Sequence, residues 1–439
     1  MPVYDLVVVG AGIMGLASAY HLKLNNPSKS VLVLDRFGAP GQGNTGRSNA
    51  MFRNTFTSSD NQLLANTSID FYLHLQNELK LDIGLQLIGY LWLLSESQVA
   101  KTGEYVQGMK RNGIEVEEYS VEELRRLVGG VVTNLDRDDE EANVMGLEDI
   151  SGAVFGPKCG RLDPEKLVRF YANEFMRLGG KIAFKTNVEG LLLGPSRKLG
   201  VEGEPFVWQE AEVKGVRVAG GISGEIEAKS VVVACGAWNN ELLEPIGVDG
   251  HVKAKKRQLF SVSAENDGPL LSLLHTRGFN NLGLIPLVIL PKSGVHFKPV
   301  SEERKFWVAC EDEVNRPYIN IPDRDLDSYR AEPSYYERGV HPVLAAYFPQ
   351  FRNARPESMW AGLYAYNTVD YLPYAFREGN LIVVGGDSGS GIMKGDALGR
   401  IVDALYREGA DASLYGGVEY GVSKVGFERR DVKREEWVI

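Results

Sequence analysis

The sequence predicts a mixed α/β fold in which both ends of the chain form α/β layers and β-rich segments lie between them. Three observations lead to this prediction. Near the start, residues 5–24 contain an apolar strand, a glycine-rich turn and a helix-like stretch. Near the end, the apolar strand 381–384 runs through a glycine–serine loop into a helix at about 396–407. Between them, residues 253–310 contain several β-like runs that alternate with turns.

The turn after the first strand predicts a dinucleotide site. Gly10, Gly12 and Gly15 stand between the apolar residues 5–9 and the helix-like residues 16–24. Gly10 permits a tight turn, Gly12 lets the backbone approach a pyrophosphate, and Gly15 lets helix and strand pack closely. The helix N-terminus offers unpaired N–H groups and a partial positive charge to phosphates. This order is typical of a Rossmann-like domain, and a glycine-rich turn in some other α/β protein is the alternative.

The acid after the second strand narrows the choice of dinucleotide. The apolar residues 31–34 end in Asp35, twenty residues after Gly15. A carboxylate at this place accepts hydrogen bonds from ribose hydroxyls and repels a 2′-phosphate. NADP is therefore disfavoured, and NAD and FAD remain.

Two glycine-rich loops can serve a flavin. The loop 41–49 is small and polar, so its N–H groups and hydroxyls can reach phosphates or an isoalloxazine ring, although a flexible surface loop has the same composition. The loop 385–393 consists largely of glycine and serine and leads into the last helix. Small residues let backbone N–H groups pack against a flat ring, and a helix N-terminus favours the anion of a reduced flavin. Another phosphate-binding or turn loop is the alternative for the second loop.

The composition bounds the class of protein. The chain has 439 residues, of which 44% are hydrophobic and 24% charged, as expected of a globular protein with two or more domains. A net charge of −10 argues against a general affinity for nucleic acids or anionic membranes. The three cysteines are widely spaced without a CxxC motif, and the histidines show no HxH or HExxH spacing. We therefore expect no metal site, no disulfide framework and a reducing compartment.

The sequence also predicts the location of the protein. The apolar start lacks a basic region, carries Asp5 and is broken by glycines, which is unlike a signal peptide. No apolar stretch approaches the roughly eighteen residues that a membrane helix needs. We expect a cytoplasmic protein without a membrane span.

Local patterns predict the remaining elements. They are a helix at 60–79, a strand at 86–94, two short helices around a strand at 97–127 with a capping box at Ser120 and Glu123, a solvated loop at 136–141, a helix from Pro164 to Leu178 with Asp163 as N-cap, a strand at 181–184, hairpin strands at 202–219 and 224–228, and a strand at 230–235.

Several segments, in this order, carry a resemblance to a known family. They are the glycine motif with Asp35, residues 43–53, 152–155 through 162–164, 234–238, 360–370, and 385–393. Together they resemble the D-amino-acid-oxidase-like FAD-dependent oxidoreductase superfamily, in particular its sarcosine oxidase/dehydrogenase (beta-subunit-like) and glycine oxidase branch. The resemblance covers most of the chain, and the segment 385–393 is its most specific part.

The resemblance implies a two-domain, p-hydroxybenzoate-hydroxylase-like architecture. Its Rossmann-like FAD-binding domain would be discontinuous and consist of residues 1–88, 151–245 and 356–439. A β-rich substrate domain, a mixed sheet over the flavin, would consist of residues 89–150 and 246–355.

The resemblance also implies the cofactor, FAD, and the residues that contact it. Some relatives hold FAD covalently through a cysteine at the position of Leu363 or a histidine in the N-terminal loop, but residues 360–372 and 36–60 contain neither residue type. FAD should therefore bind non-covalently. The motifs and the resemblance together place these residues at FAD: Gly10, Gly12, Ile13, Met14, Gly15, Asp35, Arg36, Asn44, Thr45, Gly46, Arg47, Ser48, Val188, Cys235, Gly236, Trp238, Gly362, Gly386, Ser388, Gly389, Gly391, Ile392 and Met393.

The implied activity is oxidation of a small amino or N-methyl amino acid, sarcosine-like, by hydride transfer to flavin N5. Arg53 matches an arginine that holds the substrate carboxylate in sarcosine oxidase, and a flavin-phosphate or surface arginine is the alternative. His296 could deprotonate or orient the amine, or be a packed strand histidine. The lysine that activates oxygen in sarcosine oxidases falls at Met393, one place before Lys394. Lys394 is a candidate catalytic residue that could lie over the flavin edge. Alternatively, a rotation of about 100° per helical residue would turn its ammonium away from the flavin and into water. This favours a dehydrogenase with slow reoxidation by air.

Other functions remain open at this point. The same fold could oxidise a 2-hydroxy acid such as 2-hydroxyglutarate, or the chain could be a non-catalytic FAD-binding subunit or assembly factor, for which the charged residues 427–437 would suit docking. An NAD-linked dehydrogenase is a weaker alternative, because it needs no second glycine–serine loop. The expected partners are a small carboxylate-bearing substrate and an electron acceptor, which is oxygen, a quinone or a redox partner protein. A homo- or hetero-oligomer is possible.

Overall fold

The computed structural model describes residues 3–310, 318, 329–427, 430 and 432–437. Within these residues the strands are β1 (Val3–Val9), β2 (Val31–Leu34), β3 (Met51–Phe52), β4 (Tyr90–Leu94), β5 (Glu117–Tyr119), β6 (Gly152–Gly156), β7 (Gly160–Arg161), β8 (Lys181–Ala183), β9 (Thr186–Pro195), β10 (Ala211–Gly220), β11 (Gly224–Val233), β12 (Val252–Ser263), β13 (Leu287–Ile289), β14 (Val295–Val300), β15 (Lys305–Cys310), β16 (Pro356–Asn367), β17 (Tyr374–Glu378), β18 (Leu381–Gly385), β19 (Asp411–Leu414) and β20 (Val418–Gly421). The helices are α1 (Ile13–Asn25), α2 (Ser59–Asn77), α3 (Glu96–Arg111), α4 (Val121–Leu127), α5 (Glu140–Val144), α6 (Pro164–Arg177), α7 (Asn239–Leu243), α8 (Gly268–Leu273), α9 (Pro333–Tyr335), α10 (His341–Tyr347) and α11 (Gly395–Tyr406).

The first large sheet has the strand order β17-β18-β11-β1-β2-β8, and β10 and β9 extend it from β11. Strand β1 lies parallel to both β2 and β11, and β18 lies parallel to β11. The central strands are apolar on both faces. Helices α1, α6 and α11 cover one of these faces. Helices α1 and α11 approach so closely that a Cβ on Gly399 would lie 2.7 Å from the backbone of Ala17. This sheet therefore brings the turns after β1 and β2 and the loop after β18 to one edge.

The second large sheet has the order β16-β12-β15-β14-β13-β4-β6-β5 and is antiparallel except where β13 meets β4. Alternate residues of β14 point to opposite faces. Val295 and Phe297 enter a core that includes Phe260 and Phe306, whereas His296 and Lys298 lie on the other face. That face is turned towards the first sheet, so the polar residues of the second sheet meet the loops of the first.

The mixed α/β prediction is confirmed, and most predicted elements are present. The strand 31–34, the two short helices around β5, the capping box at Ser120 and the Asp163–Pro164 helix start all agree with the structure. Four boundaries were wrong. The hairpin strand predicted at 202–219 begins only at Ala211, as β10. The residues predicted as separate strands at 224–228 and 230–235 form one strand, β11, and the strand predicted from 86 begins at Tyr90. The loop 136–141 ends inside helix α5, which begins at Glu140 with Asp139 as its N-cap.

The predicted division into two domains agrees only broadly with the strand assignment. Strands β6 and β16 belong to the second sheet, although the ranges predicted for the substrate domain leave them out. Both strands overlap sequence segments that carry cofactor motifs. The sequence therefore gives no sign of the point where the chain passes from the first sheet to the second. The exact boundaries stay a prediction.

Candidate active site

A long cavity of about 260 Å³ lies where the two sheets face each other. Three loops of the first sheet line it: the turn after β1, the loop after β2, and the loop after β18. Tyr90, Leu287 and His296 of the second sheet line the opposite side. The sequence motifs, which lie at both ends of the chain, are thus brought into one cavity.

The turn after β1 has the geometry that its glycines predict. Gly10 has a φ of +107°, and a Cβ there would lie 2.5 Å from the carbonyl oxygen of Ala234. A Cβ on Gly15 would lie 1.9 Å from the carbonyl oxygen of Gly10, so only glycine lets helix α1 start this close to the strand. Asp35 accepts hydrogen bonds from the N–H groups of Ala11 (2.6 Å) and Phe37 (2.8 Å), and its burial raises its pKa. Turn and acid are therefore held together at the edge of the cavity.

The loop after β2 is fixed by side chains rather than by regular structure. Thr45 Oγ1 accepts a hydrogen bond from the N–H of Ile13 at 3.2 Å, which ties the loop to the start of α1. Asn44 Oδ1 accepts one from the N–H of Leu363 at 2.8 Å, which ties it to β16. The polar loop is thus an ordered wall of the cavity and not the flexible surface loop that was its alternative.

The loop after β18 packs against aromatic rings with no room for side chains. Gly389 has a φ of +81°, and a Cβ there would lie 2.2 Å from the ring of Tyr364. A Cβ on Gly391 would lie 2.1 Å from the carboxylate of Asp387. The backbone of this loop consequently borders the cavity directly, as a flat ring requires.

The far end of the cavity suits an adenosine moiety. The guanidinium of Arg36 lies 4.4 Å from the ring centroid of Trp238, and Val188 lines the cavity beside them. Trp238 Nε1 is buried and has no hydrogen-bond partner among the described residues. Cys235 also lines this end, and burial raises the pKa of its thiol to about 12, so the thiol stays protonated and unreactive.

These observations test whether the residues fit FAD. Two buried polar atoms of the lining, Trp238 Nε1 and Asn49 Oδ1, have no partner within the described part of the chain, and such atoms in a cavity call for a ligand. The backbone at Gly12, which has no side chain, suits a pyrophosphate, and the backbone at Gly389 suits a flat ring. The carboxylate of Asp35 suits a ribose. The residues fit the group.

Arg53 lies at the opposite end of the cavity, directly after β3. Its guanidinium donates from Nη1 to the carbonyl oxygen of Thr55 at 2.6 Å and from Nη2 to the carbonyl oxygen of Trp437, and it lies 4.1 Å from the ring centroid of Phe56. Only 5% of Arg53 is exposed, and no carboxylate of the described residues forms an ion pair with it. A buried cation without a counter-ion is a candidate anion site.

Lys394 does not point away from this site, and that prediction was wrong. Its Nζ donates to Asn61 Oδ1 at 2.5 Å and to Ser390 Oγ at 2.6 Å, the residue is fully buried, and it lines the cavity. Helix α11 begins only at Gly395, and Lys394 is its N-cap with φ −128° and ψ 0°, so the helical rotation that the prediction assumed does not apply. Burial lowers the pKa of Lys394 to about 7; the positive charge of Arg53 adds to this effect, and Glu435 and Asp387 oppose it.

His296 lines the same cavity from strand β14. Its Nδ1 lies 2.9 Å from the carbonyl oxygen of Gly294, which can only accept, so Nδ1 carries the proton and Nε2 is the acceptor of the neutral ring. Burial lowers the pKa of His296 to about 4, and the charges of Arg257 and Lys298 act in the same direction. The imidazole is neutral at physiological pH.

The predicted residues divide into those that line the cavity and those that shape it. Arg53, His296, Lys394 and most of the predicted FAD contacts line it. Five predicted contacts do not border it: Gly15, Gly46, Arg47, Gly362 and Gly386. Their small size or hydrogen bonds hold the loops in place; Arg47, for example, donates to the carbonyl oxygen of Ala361 at 3.3 Å. The roles assigned to all of these residues stay predictions.

The lining residues that were missed include Phe56, Asn61, Tyr90, Asp387 and Glu435. Of these five, Asp387 had a visible signal, because it is an acid inside the glycine–serine loop. Burial raises the pKa of Asp387 to about 6 against the opposing charge of Lys394. Glu435 belongs to the charged run that was predicted to suit docking to a partner. Within the described part of that run Glu435 is buried against this chain, whereas Lys433, Arg434 and Glu436 are exposed. Residues 428, 429 and 431 lie outside the described residues.

The described residues contain no group of three or more histidine, cysteine or acidic side chains arranged to hold a metal ion. None of their helices combines the length and apolarity needed to cross a bilayer.

Comparisons with known proteins agree with this geometry. The family model described as "DAO: FAD dependent oxidoreductase" matches residues 5–405. FAD-dependent oxidoreductase domain-containing protein 1 of Xenopus laevis is 24% identical over 93% of this chain and 80% of its own. Human peroxisomal sarcosine oxidase is 26% identical over 56% of this chain and 54% of its own. The structure of L-proline dehydrogenase from P. horikoshii superimposes with a TM-score of 0.72 at 21% identity, covering 96% of both chains.

Proposed function

The chain belongs to the DAO family of FAD-dependent oxidoreductases, and we propose that it oxidises a small amino acid or N-methyl amino acid whose carboxylate binds Arg53. The family membership confirms the resemblance inferred from the motifs, together with the fold class and FAD as cofactor. The observation that carries the substrate proposal is the buried guanidinium of Arg53, which borders the cavity and has no carboxylate partner in the described part of the chain.

The surroundings of Arg53 support an anionic substrate with a small side chain. Phe56, Tyr90 and Trp92 lie near the guanidinium or the cavity and exclude water from it. A guanidinium binds a carboxylate through two parallel charge-assisted hydrogen bonds, and these gain strength where water is excluded. Lys394 adds a second cationic group at the same end.

FAD, when bound, supplies the acceptor for the two electrons removed from the substrate. Arg53 holds the carboxylate and so fixes the orientation of the neighbouring carbon. His296 presents a neutral imidazole whose Nε2 can accept a hydrogen bond from the substrate amine. Lys394 exchanges a proton at Nζ near neutral pH, because burial brings its pKa to about 7.

We propose oxygen as the electron acceptor, because the position of Lys394 favours it. The preference for a dehydrogenase depended on a lysine turned away from the cavity, and Lys394 lines it. A positive charge there would stabilise superoxide in the first one-electron step of oxygen reduction. A quinone or a redox partner protein is the alternative.

Two other functions differ from this proposal in measurable ways. A 2-hydroxy acid would use the same carboxylate anchor but has no amine for His296 to accept from. A non-catalytic FAD-holding subunit was expected to have an arginine-free pocket, whereas Arg53 borders this one. The second alternative is therefore disfavoured.

The test is anaerobic mixing of the purified holoenzyme with N-methyl, L-, D- and 2-hydroxy acids while the flavin absorbance is followed. Bleaching by amino or N-methyl amino acids, lost in Arg53→Met with FAD retained, is the expected result. Bleaching only by 2-hydroxy acids would replace the substrate class, and no bleaching by any compound would favour a non-catalytic role.

A further inference from the structure

Residues 432–437, here called the strap, bring Glu435 into the lining of the cavity. The approach to the strap is fixed by Arg430, which forms a buried bidentate ion pair with Asp370 (Nε–Oδ2 2.5 Å, Nη2–Oδ1 2.9 Å). The N–H of Glu435 then donates to the carbonyl oxygen of Asp370 at 3.1 Å. The strap is thereby directed towards the end of the cavity that holds Arg53.

Glu435 anchors the strap at the start of helix α2. Its carboxylate accepts five hydrogen bonds: from Thr57 N (2.9 Å), Thr57 Oγ1 (3.0 Å), Ser58 N (3.2 Å), Asn61 Nδ2 (3.0 Å) and Trp437 N (3.0 Å). Only 3% of Glu435 is exposed. A buried carboxylate with this many donors at a helix N-terminus is a stable fixed point.

Trp437, two residues further, is held less firmly. Its indole stacks on Trp92 with the ring centroids 4.6 Å apart and the planes 10° from parallel, and its main-chain carbonyl accepts the hydrogen bond from Arg53 Nη2. The residue is partly exposed. One ring stack and two main-chain hydrogen bonds thus hold the tip of the strap, against the five hydrogen bonds that Glu435 accepts.

A substrate carboxylate and the Trp437 carbonyl bind the same nitrogen of Arg53. A carboxylate that binds two nitrogens of a guanidinium uses Nη2 together with either Nη1 or Nε, and Trp437 O occupies one of the two N–H groups of Nη2 and so closes one of these two modes. We propose that Trp437 is a specificity-determining residue: its main-chain carbonyl competes with the substrate carboxylate for Arg53, and only a carboxylate that displaces the tip of the strap binds. This inference rests on the proposed function, in which Arg53 holds the carboxylate.

The first test measures carboxylate binding to the holoenzyme without turnover. Sodium propionate is titrated while the flavin spectrum is followed, and propionamide serves as the uncharged control. Trp437→Ala removes the stack on Trp92 and weakens the competitor, so the propionate Kd should fall by roughly 2- to 10-fold, the factor that one aromatic stack carries. Trp208→Ala is the matched control, since Trp208 is 69% exposed and outside the cavity lining, and its Kd should equal that of the wild type.

A second pair of variants addresses the anchor. Glu435→Gln removes the charge that holds the strap and should change propionate affinity in the same direction as Trp437→Ala. Glu436→Gln makes the same chemical change one residue away. The side chain of Glu436 is exposed and accepts a hydrogen bond from the hydroxyl of Tyr105, so this variant should leave the propionate Kd unchanged.

Hydrogen exchange of the wild-type holoenzyme reports displacement directly, even if a variant folds poorly. Saturating propionate should increase exchange in the peptide that contains Glu435 to Trp437, and propionamide should not. Arg53→Met should abolish the effect of propionate.

The outcomes separate this inference from the function on which it rests. Propionate that binds through Arg53 with equal affinity in Trp437→Ala, or that lowers exchange in the strap, would overturn the competition and leave the carboxylate anchor intact. Weaker binding in Trp437→Ala would also overturn it, because Trp437 would then be part of the carboxylate seat. Propionate that binds no variant would overturn the anchor and the competition together.

Discussion

Replacing Lys394 by methionine should remove a specific pH dependence of stability. In the folded protein the pKa of Lys394 is about 7, chiefly because the ammonium is buried, whereas the ordinary value is 10.5. Between these values the unfolded chain binds the proton and the folded chain does not. Stability therefore rises with pH across this window, and the penalty for burying the charge is greatest below pH 7.

The magnitude follows from the size of the shift. Each pKa unit corresponds to about 1.4 kcal/mol, so raising the pH from 7 to 9 should add on the order of 2.5 kcal/mol to the free energy of unfolding of the wild type. With an unfolding entropy of about 2 cal/mol/K per residue, a chain of this length should gain roughly 3 °C in Tm over that range. Lys394→Met cannot titrate and should lack this gain.

The assay is thermal unfolding with saturating FAD at half-unit steps from pH 6.5 to 9.5. The quantity of interest is the wild-type Tm minus the variant Tm at each pH, because other titrating groups cancel in the difference. Lys101→Met, an exposed position on helix α3, should give a difference that does not vary with pH. A flat difference for Lys394→Met as well would show that the ammonium is not buried in the folded protein.

The remaining predictions concern the cofactor, the substrate and the acceptor. FAD should be released into the supernatant on acid precipitation, and colour that stays with the pellet would contradict non-covalent binding. Arg53→Met should raise the Kd of a carboxylate substrate by about 2–4 kcal/mol, roughly 30- to 1000-fold, as titration of the FAD-loaded variant would show; loss of FAD with unchanged substrate affinity would place Arg53 at the cofactor instead. Reoxidation of the reduced enzyme by air, followed by stopped flow, should slow as the pH rises through about 7 and Lys394 loses its charge, and a pH-independent rate would exclude this lysine.

The cofactor side of the site was predictable because its signals are local. Gly10 and Gly15 are required by contacts within a single strand–turn–helix unit, and Asp35 meets the N–H of Ala11 in the same unit. The loop after β18 was recognised for the same reason, since a strand delivers small residues into a helix start. In these places neighbours in the sequence determine the geometry.

Lys394 was misplaced because one residue at a helix start decides the direction of a side chain. The prediction counted rotation along a helix beginning near Ile392, but the helical dihedral angles start at Gly395. An N-cap residue has non-helical angles, so the periodicity of the following helix says nothing about where it points. Asn61 and Ser390 accept hydrogen bonds from the ammonium of Lys394, and the bond to Asn61 joins residues 333 positions apart.

The strap was beyond sequence reasoning for a further reason, and that reason bears on the substrate. A run of charged residues is ordinarily solvated, yet the carboxylate of Glu435 is buried by donors that lie more than 370 residues earlier in the chain. All five donors to Glu435, which include the N–H of the nearby Trp437, are neutral, so the negative charge is stabilised without a direct bond to Arg53 or Lys394. Arg53 therefore keeps its charge available at the end of the cavity, while Lys394, whose pKa burial lowers to about 7, is only partly charged at neutral pH. Had Glu435 paired with Arg53 instead, the charge of the guanidinium would be neutralised, and the carboxylate substrate that we propose would gain less from binding there.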